Sequence, residues 1–375
     1  MRSRILLFLA SAILVPALSV AVILFAKGYR PNFTTRKIQP TGLLATSSVP
    51  ENAQIWIDKI LKSATPATLT LSPGTFEVEI KKDGYQPWKK RLTISPEIVT
   101  RASAILFPSV PSLKAITTTG ATHPLLSPDG AKVAYLIPEK TTTEVYTLDL
   151  TESPLGLLNR DPKLVATLNI VSPSLVWSPN SQQILALADP VALLIDISSQ
   201  TSTDVSISPP NFLPEPINLD LLPTILKDLL ATSAADLVWS PKENKLMYMA
   251  TASAVIPDGL IRPLPGSNTQ QQTRRLSPNK IYIYDLEEDR NFVVGNKNDL
   301  LAWFPTSNHI IKTEPQKITI MEYDGQNPTV VYAGPMTETV SFPYPSGKQL
   351  LILTHLSSTP TKTPTLPNLY AVSVR

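Results

Sequence analysis

Apolar and polar positions change their rhythm several times along the chain. An uncharged run opens at Ile5 and closes at Ala26, 22 residues in all. That is enough for ~33 Å of helix at 1.5 Å per residue. Between Thr41 and Phe107 the period is two. In Ala53-Gln54-Ile55-Trp56-Ile57-Asp58 sidedness alternates, and Phe76, Val78 and Ile80 oppose Glu77 and Glu79. Pro73-Gly74 and Asp83-Gly84 break the alternation as turns, and Leu92 and Ile94 start a further strand. The pattern predicts a small antiparallel sandwich over residues 41–107.

From about residue 113 one unit recurs. Leu126-Ser127-Pro128-Asp129-Gly130, Trp177-Ser178-Pro179-Asn180 and Trp239-Ser240-Pro241-Lys242 each precede an apolar strand. Trp303-Phe304-Pro305 and Tyr344-Pro345-Ser346-Gly347 are degenerate copies. The five prolines lie 51, 62, 64 and 40 positions apart. Repeats of ~40–50 residues with four short strands each are the signature of propeller blades. The third strands echo one another: residues 144–150 (Glu-Val-Tyr-Thr-Leu-Asp-Leu) match residues 280–286 (Lys-Ile-Tyr-Ile-Tyr-Asp-Leu). The last unit ends at its third strand, so residues 113–118 are expected to supply its fourth and close the ring as about five blades. Trp177, Trp239 and Trp303 are expected in the core. Two insertions stand out. Residues 208–235 carry Leu222, Ile225, Leu226, Leu229 and Leu230 at helical spacing, for a helix packed on the propeller or one that meets a partner or membrane. Residues 251–279, like the Pro/Thr-rich residues 357–367, read as a loop.

Composition narrows the options. With 43% hydrophobic and 17% charged residues the chain is not broadly disordered. Its 37 prolines suit short strands and turns. A net charge of +3 gives no case for a nucleic-acid partner. Zero cysteines exclude disulfides, thiolate nucleophiles and Cys-based metal sites. Arg2 and Arg4 before the apolar run, and Lys27 and Arg30 after it, point to an uncleaved signal anchor, with residues 1–26 as head and transmembrane helix. Residues 27–40, with Pro31 and Pro40, read as a stalk.

Two resemblances follow from these residues. Pro50-Glu51-Asn52-Ala53, Thr65-Pro66, Pro73-Gly74 and Gly84-Tyr85 resemble, in order, the PEGA domain, with Asn52 in place of the motif glycine. Asn tolerates positive φ, so a left-handed turn is expected to survive there. The Trp/Leu-Ser-Pro repeats resemble the TolB-type propeller of exported bacterial proteins, over residues 113–375. The resemblances imply an all-β protein of the cell envelope. Its parts would be an anchor, a PEGA-like β-sandwich and a β-propeller with a short helical insertion, all beyond the anchor lying extracytoplasmic.

Candidate chemistry is sparse. His123, His309 and His355 fall in different repeats, and no zinc, nucleophile-elbow or phosphate-loop motif is present. Asp285, Glu287, Glu288 and Asp289 cluster without calcium-loop spacing. No catalytic residue, metal or cofactor is expected. The one dense polar feature is a turn holding Lys81, Lys82, Tyr85, Trp88, Lys89, Lys90 and Arg91. It is either a solvated hairpin with Trp88 packed inward, or a contact for an anionic surface such as lipid headgroups or an acidic wall polymer. The expected function is non-enzymatic binding or scaffolding in the envelope, with membrane contact through residues 5–26 and an envelope protein or wall polymer as partner. The alternatives are an exported hydrolase or lyase with a propeller-face site, and a structural surface-layer component.

Overall fold

The computed structural model describes residues 2–26, 28–32, 37–152, 161–213, 216–262, 264, 266, 268–356 and 366–375; for residues 2–11, 30–32, 37 and 38 it describes the backbone alone. Among the described residues the protein is all-β apart from two helices, α1 (Arg2–Ala26) and α2 (Thr224–Ser233). Large apolar side chains on α1 from Ile13 to Phe25 are exposed. Among the described residues no helix is long and apolar enough to cross a membrane. The run expected as an anchor lies partly outside them, because its side chains are described only from Ala12. The expected stalk, also described in part, contains a short pairing, Arg30–Asn32 against Lys37–Gln39.

The chain divides into two units, Met1–Leu106 with Ile261–Gln271, and Phe107–Leu260 with Gln272–Arg375. In the first unit, one sheet orders Ala67–Leu71, Gly42–Val49 and Val99–Ile105. The other orders Ile60–Ala64, Gln54–Ile57, Gly74–Lys81 and Trp88–Ile94. Leu44, Ala102 and Ala104 of the first sheet pack with Ile55, Val78, Ile80, Trp88 and Leu92 of the second. That shared core makes the pair a sandwich, as the alternation predicts. One detail differs: Gly42–Val49 and Val99–Ile105 run parallel, Leu43 facing Val99. Parallel neighbours need a crossover, and here the second sheet is that crossover. Asn52 has φ 59°, the left-handed turn expected of it.

The second unit holds five four-stranded antiparallel sheets. Four are consecutive meanders, which we number blades 1 to 4 from the strands beginning at Thr122, Ser174, Ala234 and Leu300. Blade 5 joins Ser341–Pro343, Gln349–Thr354 and Asn368–Ser373 to Leu113–Ala115, with Leu113 opposite Val372 and Ala115 opposite Tyr370. The closing strand is the one the repeat count demands. The array is propeller-like, and adjacent sheets share apolar cores. Tyr135 and Leu148 of blade 1 meet Leu351 and Leu369 of blade 5. Ala134 and Val165 meet Trp177 and Ile184 of blade 2. Met247 and Ile283 of blade 3 meet Trp303 and Ile310 of blade 4.

All five Pro-centred turns share one geometry. The residue before each proline donates its N–H to the oxygen five positions on: Ser127 to Lys132 (2.8 Å), Ser178 to Gln183 (2.9 Å), Ser240 to Lys245 (2.8 Å), Phe304 to His309 (3.0 Å) and Tyr344 to Gln349 (2.9 Å). The degenerate repeats therefore fold as the clear ones do, because proline's fixed φ and this backbone bond, not the serine, define the turn.

Candidate functional site

Strand polarity sorts the connections of the second unit by end. First-to-second and third-to-fourth strand links lie at the turn end of each blade. Second-to-third and blade-to-blade links lie at the other. The two longest insertions, after Asp204 and after Ala250, both leave from the end away from the Pro turns. A cavity of about 370 Å³ at that same end is lined by Thr118, Thr119, Gly120, His355, Asn368 and Tyr370, among others. Among the described residues, its polar side chains are hydroxyl, amide and imidazole groups. A second cavity, about 250 Å³, opens at the turn end beside Lys132, Asp149, Asp161 and Lys163.

The insertion between blades 2 and 3 presents one buried apolar stripe and several exposed apolar side chains. On α2, Leu226 and Leu230 are buried, as is Leu222 just before it. Ile225 (59% exposed) lies on another face of α2, and Leu221 (54%) in the turn before it is exposed, as are Ile207 and Leu213 upstream. The helical spacing was legible from Ile225 to Leu230, and the structure buries Leu226 and Leu230 while leaving Ile225 exposed. Trp239 departs from expectation. Trp177 and Trp303 are buried, but Trp239 is only half-buried. It donates Nε1–H to the oxygen of Asn218 in this insertion at 2.7 Å.

The basic turn of the small unit does not gather its charges on one face. Trp88 is core, and strand alternation turns Lys90 inward with it, 9% exposed. Lys81 pairs with Glu79 at 2.9 Å and lies over the Trp56 ring; Lys89 pairs with Glu77 at 2.9 Å. Glu77 raises the Lys89 pKa above its ordinary value by hydrogen bond and charge. Lys82 donates to the oxygen of Glu51 at 2.7 Å, bracing the Pro50-Glu51-Asn52-Ala53 turn. Tyr85 packs half-buried against the core, and Arg91 is exposed. Lys82 and Lys90 thus serve the fold, which leaves Lys81, Lys89 and Arg91 toward solvent.

The acidic cluster after blade 3's third strand also disperses. Asp285 is buried against Lys245 at 3.3 Å. Asp289 binds Arg274 at 3.0 Å and accepts from Tyr284 Oη (2.5 Å) and the Gly259 N–H (2.9 Å). These bonds hold Gly259 and Arg274, at the two ends of the 251–279 insertion expected as a loop, against blade 3, and there Ala254–Val255 pairs with Arg275–Leu276. Residues 357–365 of the other expected loop lie outside the described residues. Among the described residues no three His, Cys, Asp or Glu side chains converge as metal ligands.

The pairing pattern defines a class: a small two-sheet domain followed by a propeller-like array. Residues 41–109 match the family model of the PEGA domain. A comparison with curated proteins finds no match. Among solved structures, TolB from Acinetobacter baumannii is 14% identical, over 80% of this chain and 59% of its own, with a TM-score of 0.24. The tricorn protease is 12% identical, over 80% of this chain and 27% of its own, with a TM-score of 0.23. The chain thus spans less than two thirds of either. At such scores the likenesses carry no weight, and the propeller-like assignment rests on the strand pairing above.

Proposed function

We propose that this is a membrane-anchored, non-enzymatic recognition protein of the cell envelope, its domains extracytoplasmic and its five blades a closed propeller serving as the binding head. The exposed apolar side chains of the blade 2–3 insertion carry the reading. Leu221 and Ile225, with Leu213 and Ile207 exposed nearby in sequence, offer a protein partner an anchor surface of the kind monomers seldom leave bare. In support of the anchor, α1 exposes eight large apolar side chains between Ile13 and Phe25, as a helix in lipid does. The small domain then acts as a spacer between anchor and head, with Lys81, Lys89 and Arg91 as a secondary contact for anionic surface.

A photoreactive residue placed at Ile225 in the native host tests the head. A discrete protein adduct is expected from that position, and none from Lys242 in a Pro turn. An Ile225 probe that labels nothing removes the recognition face. Amino-terminal sequencing of the membrane fraction tests the anchor, with retention of residues 5–26 expected.

A further inference from the structure

Strand Trp88–Ile94 is the outermost of its sheet. The outward main-chain groups of such a strand are a template for a further strand unless something occupies them. They are occupied at Thr93. Its N–H donates to Thr269 Oγ1 at 3.2 Å, and its oxygen accepts from Thr100 Oγ1 at 3.2 Å. Two residues back, the oxygen of Arg91 accepts from Gln270 Nε2 at 2.7 Å. Thr269 and Gln270 are separated from these partners by 176 and 179 positions. They come from the insertion within blade 3, yet Ile261–Gln271 forms part of the small unit. The same segment touches the outer strand of the other sheet. Gly266, at φ +75°, lies so close to Val99 that a Cβ would stand 1.9 Å from the Val99 oxygen. Backbone cannot yield that much, so only glycine fits. Asn268 Oδ1 accepts the Gln270 N–H at 2.9 Å and sets the approach.

We propose that Ile261–Gln271 is an edge cap. It completes the small β-sandwich from a distant part of the sequence and holds the pairing groups of Arg91 and Thr93, so that no extended backbone, a second copy's strand included, adds to this edge. Side-chain hydroxyl and amide groups do the capping, and they leave no strand edge of their own.

Hydrogen exchange on the full chain tests the cap. Thr269→Val keeps the side chain's shape and removes the acceptor; Gly266→Val forces the segment off Val99. In either variant the Thr93 amide is expected to exchange about ten-fold faster or more, while Ile55 in the inner strand is unchanged. Leu264→Ala, in the same segment, is expected to leave Thr93 as it was. Should Gly266→Val fail to fold, Thr269→Val decides alone. Thr93 exchange within about two-fold of the parent in Thr269→Val overturns the proposal. So does an equal rise at Thr93 and Ile55, which reports global destabilisation.

Discussion

The indole of Trp303 donates to the main-chain oxygen of Val238, 3.1 Å away in the neighbouring blade. Trp177 repeats the contact two joints earlier, on Leu125 at 3.1 Å. Each oxygen lies two residues before the serine that opens its Pro turn, so the bond is a repeating inter-blade tie. A second tie runs beside it, Asp129 N–H to Ser181 Oγ (3.1 Å) and Lys242 N–H to Ser307 Oγ (2.9 Å). Trp303→Phe and Trp177→Phe keep ring packing and strand a carbonyl. Each is expected to destabilise by about 1–3 kcal/mol in urea unfolding. Trp239→Phe, half-exposed and tied to a loop, is expected to cost less than about 1 kcal/mol. Equal losses at all three would show that the tie contributes nothing beyond burial.

The serine hydroxyl of the turn is a separate contribution. Ser178 Oγ accepts the Gln183 N–H at 2.9 Å and donates to Asn180 Oδ1 at 2.7 Å, in a site that is 3% exposed. Ser178→Ala leaves that N–H without its bond and should cost about 1–2 kcal/mol. Phe304 and Tyr344 hold the same position without serine's γ-hydroxyl, so Phe304→Ser should gain no turn bond worth the lost burial, and is expected to destabilise by more.

Lys245 and Asp285 form an ion pair in which both side chains are at most 3% exposed, with Lys245 Nζ 4.7 Å from the Tyr323 ring centre. Burial raises the Asp285 carboxyl above its ordinary value, against the pull of Lys245 and the Glu287 N–H. The unfolded chain therefore loses this proton first as pH rises. Its contribution to stability falls from the ordinary 3.8 upward, through the folded value. Lys245→Met strands a buried carboxylate and should cost about 3–5 kcal/mol at pH 7. Adding Asp285→Leu should recover most of it. A double variant no more stable than the single would mean the loss came from packing.

Blade closure has its own polar lock. Asn368 Oδ1 accepts from Thr117 Oγ1 and the Gly120 N–H, both at 3.0 Å, and Thr117 Oγ1 accepts the Leu369 N–H at 2.9 Å. Asn368→Leu removes two bonds where the ends of the unit meet, and should destabilise by about 2–4 kcal/mol. In hydrogen exchange the loss should concentrate at residues 113–117 and 368–373. A uniform rise across all blades would exclude a local lock.

Local chemistry made much of this legible. Asn52 tolerates the left-handed turn it occupies, and proline marks five turns even where serine is gone. The strand missing after Asn368–Ser373 could be found by counting. What stayed hidden depended on distant partners or on competing signals. The three consecutive basic residues Lys89, Lys90 and Arg91 masked the period-two alternation that turns Lys90 inward beside Trp88. Trp239 reads like Trp177 and Trp303, but the inserted segment reaches its indole through Asn218. The cap residues Thr269 and Gln270 carry no local pattern, because a lone hydroxyl or amide reaching a strand edge leaves no periodicity.

The Thr117–Asn368 bond spans 251 positions. During synthesis the outermost strand of blade 5 is thus made before the rest of its unit, and it waits for its partner until Asn368–Ser373 has emerged. Contacts of such separation form late, after their loop entropy has been met. Meanwhile Leu113–Ala115 is an unsatisfied edge and blade 1 lacks the neighbour that covers Tyr135 and Leu148. A chain that stops before Asn368 cannot reach a nearly native state short by one strand. It keeps two raw surfaces at once, of the kind that expose a partly folded chain to aggregation, so that the soundness of the whole array rests on the six residues Asn368–Ser373.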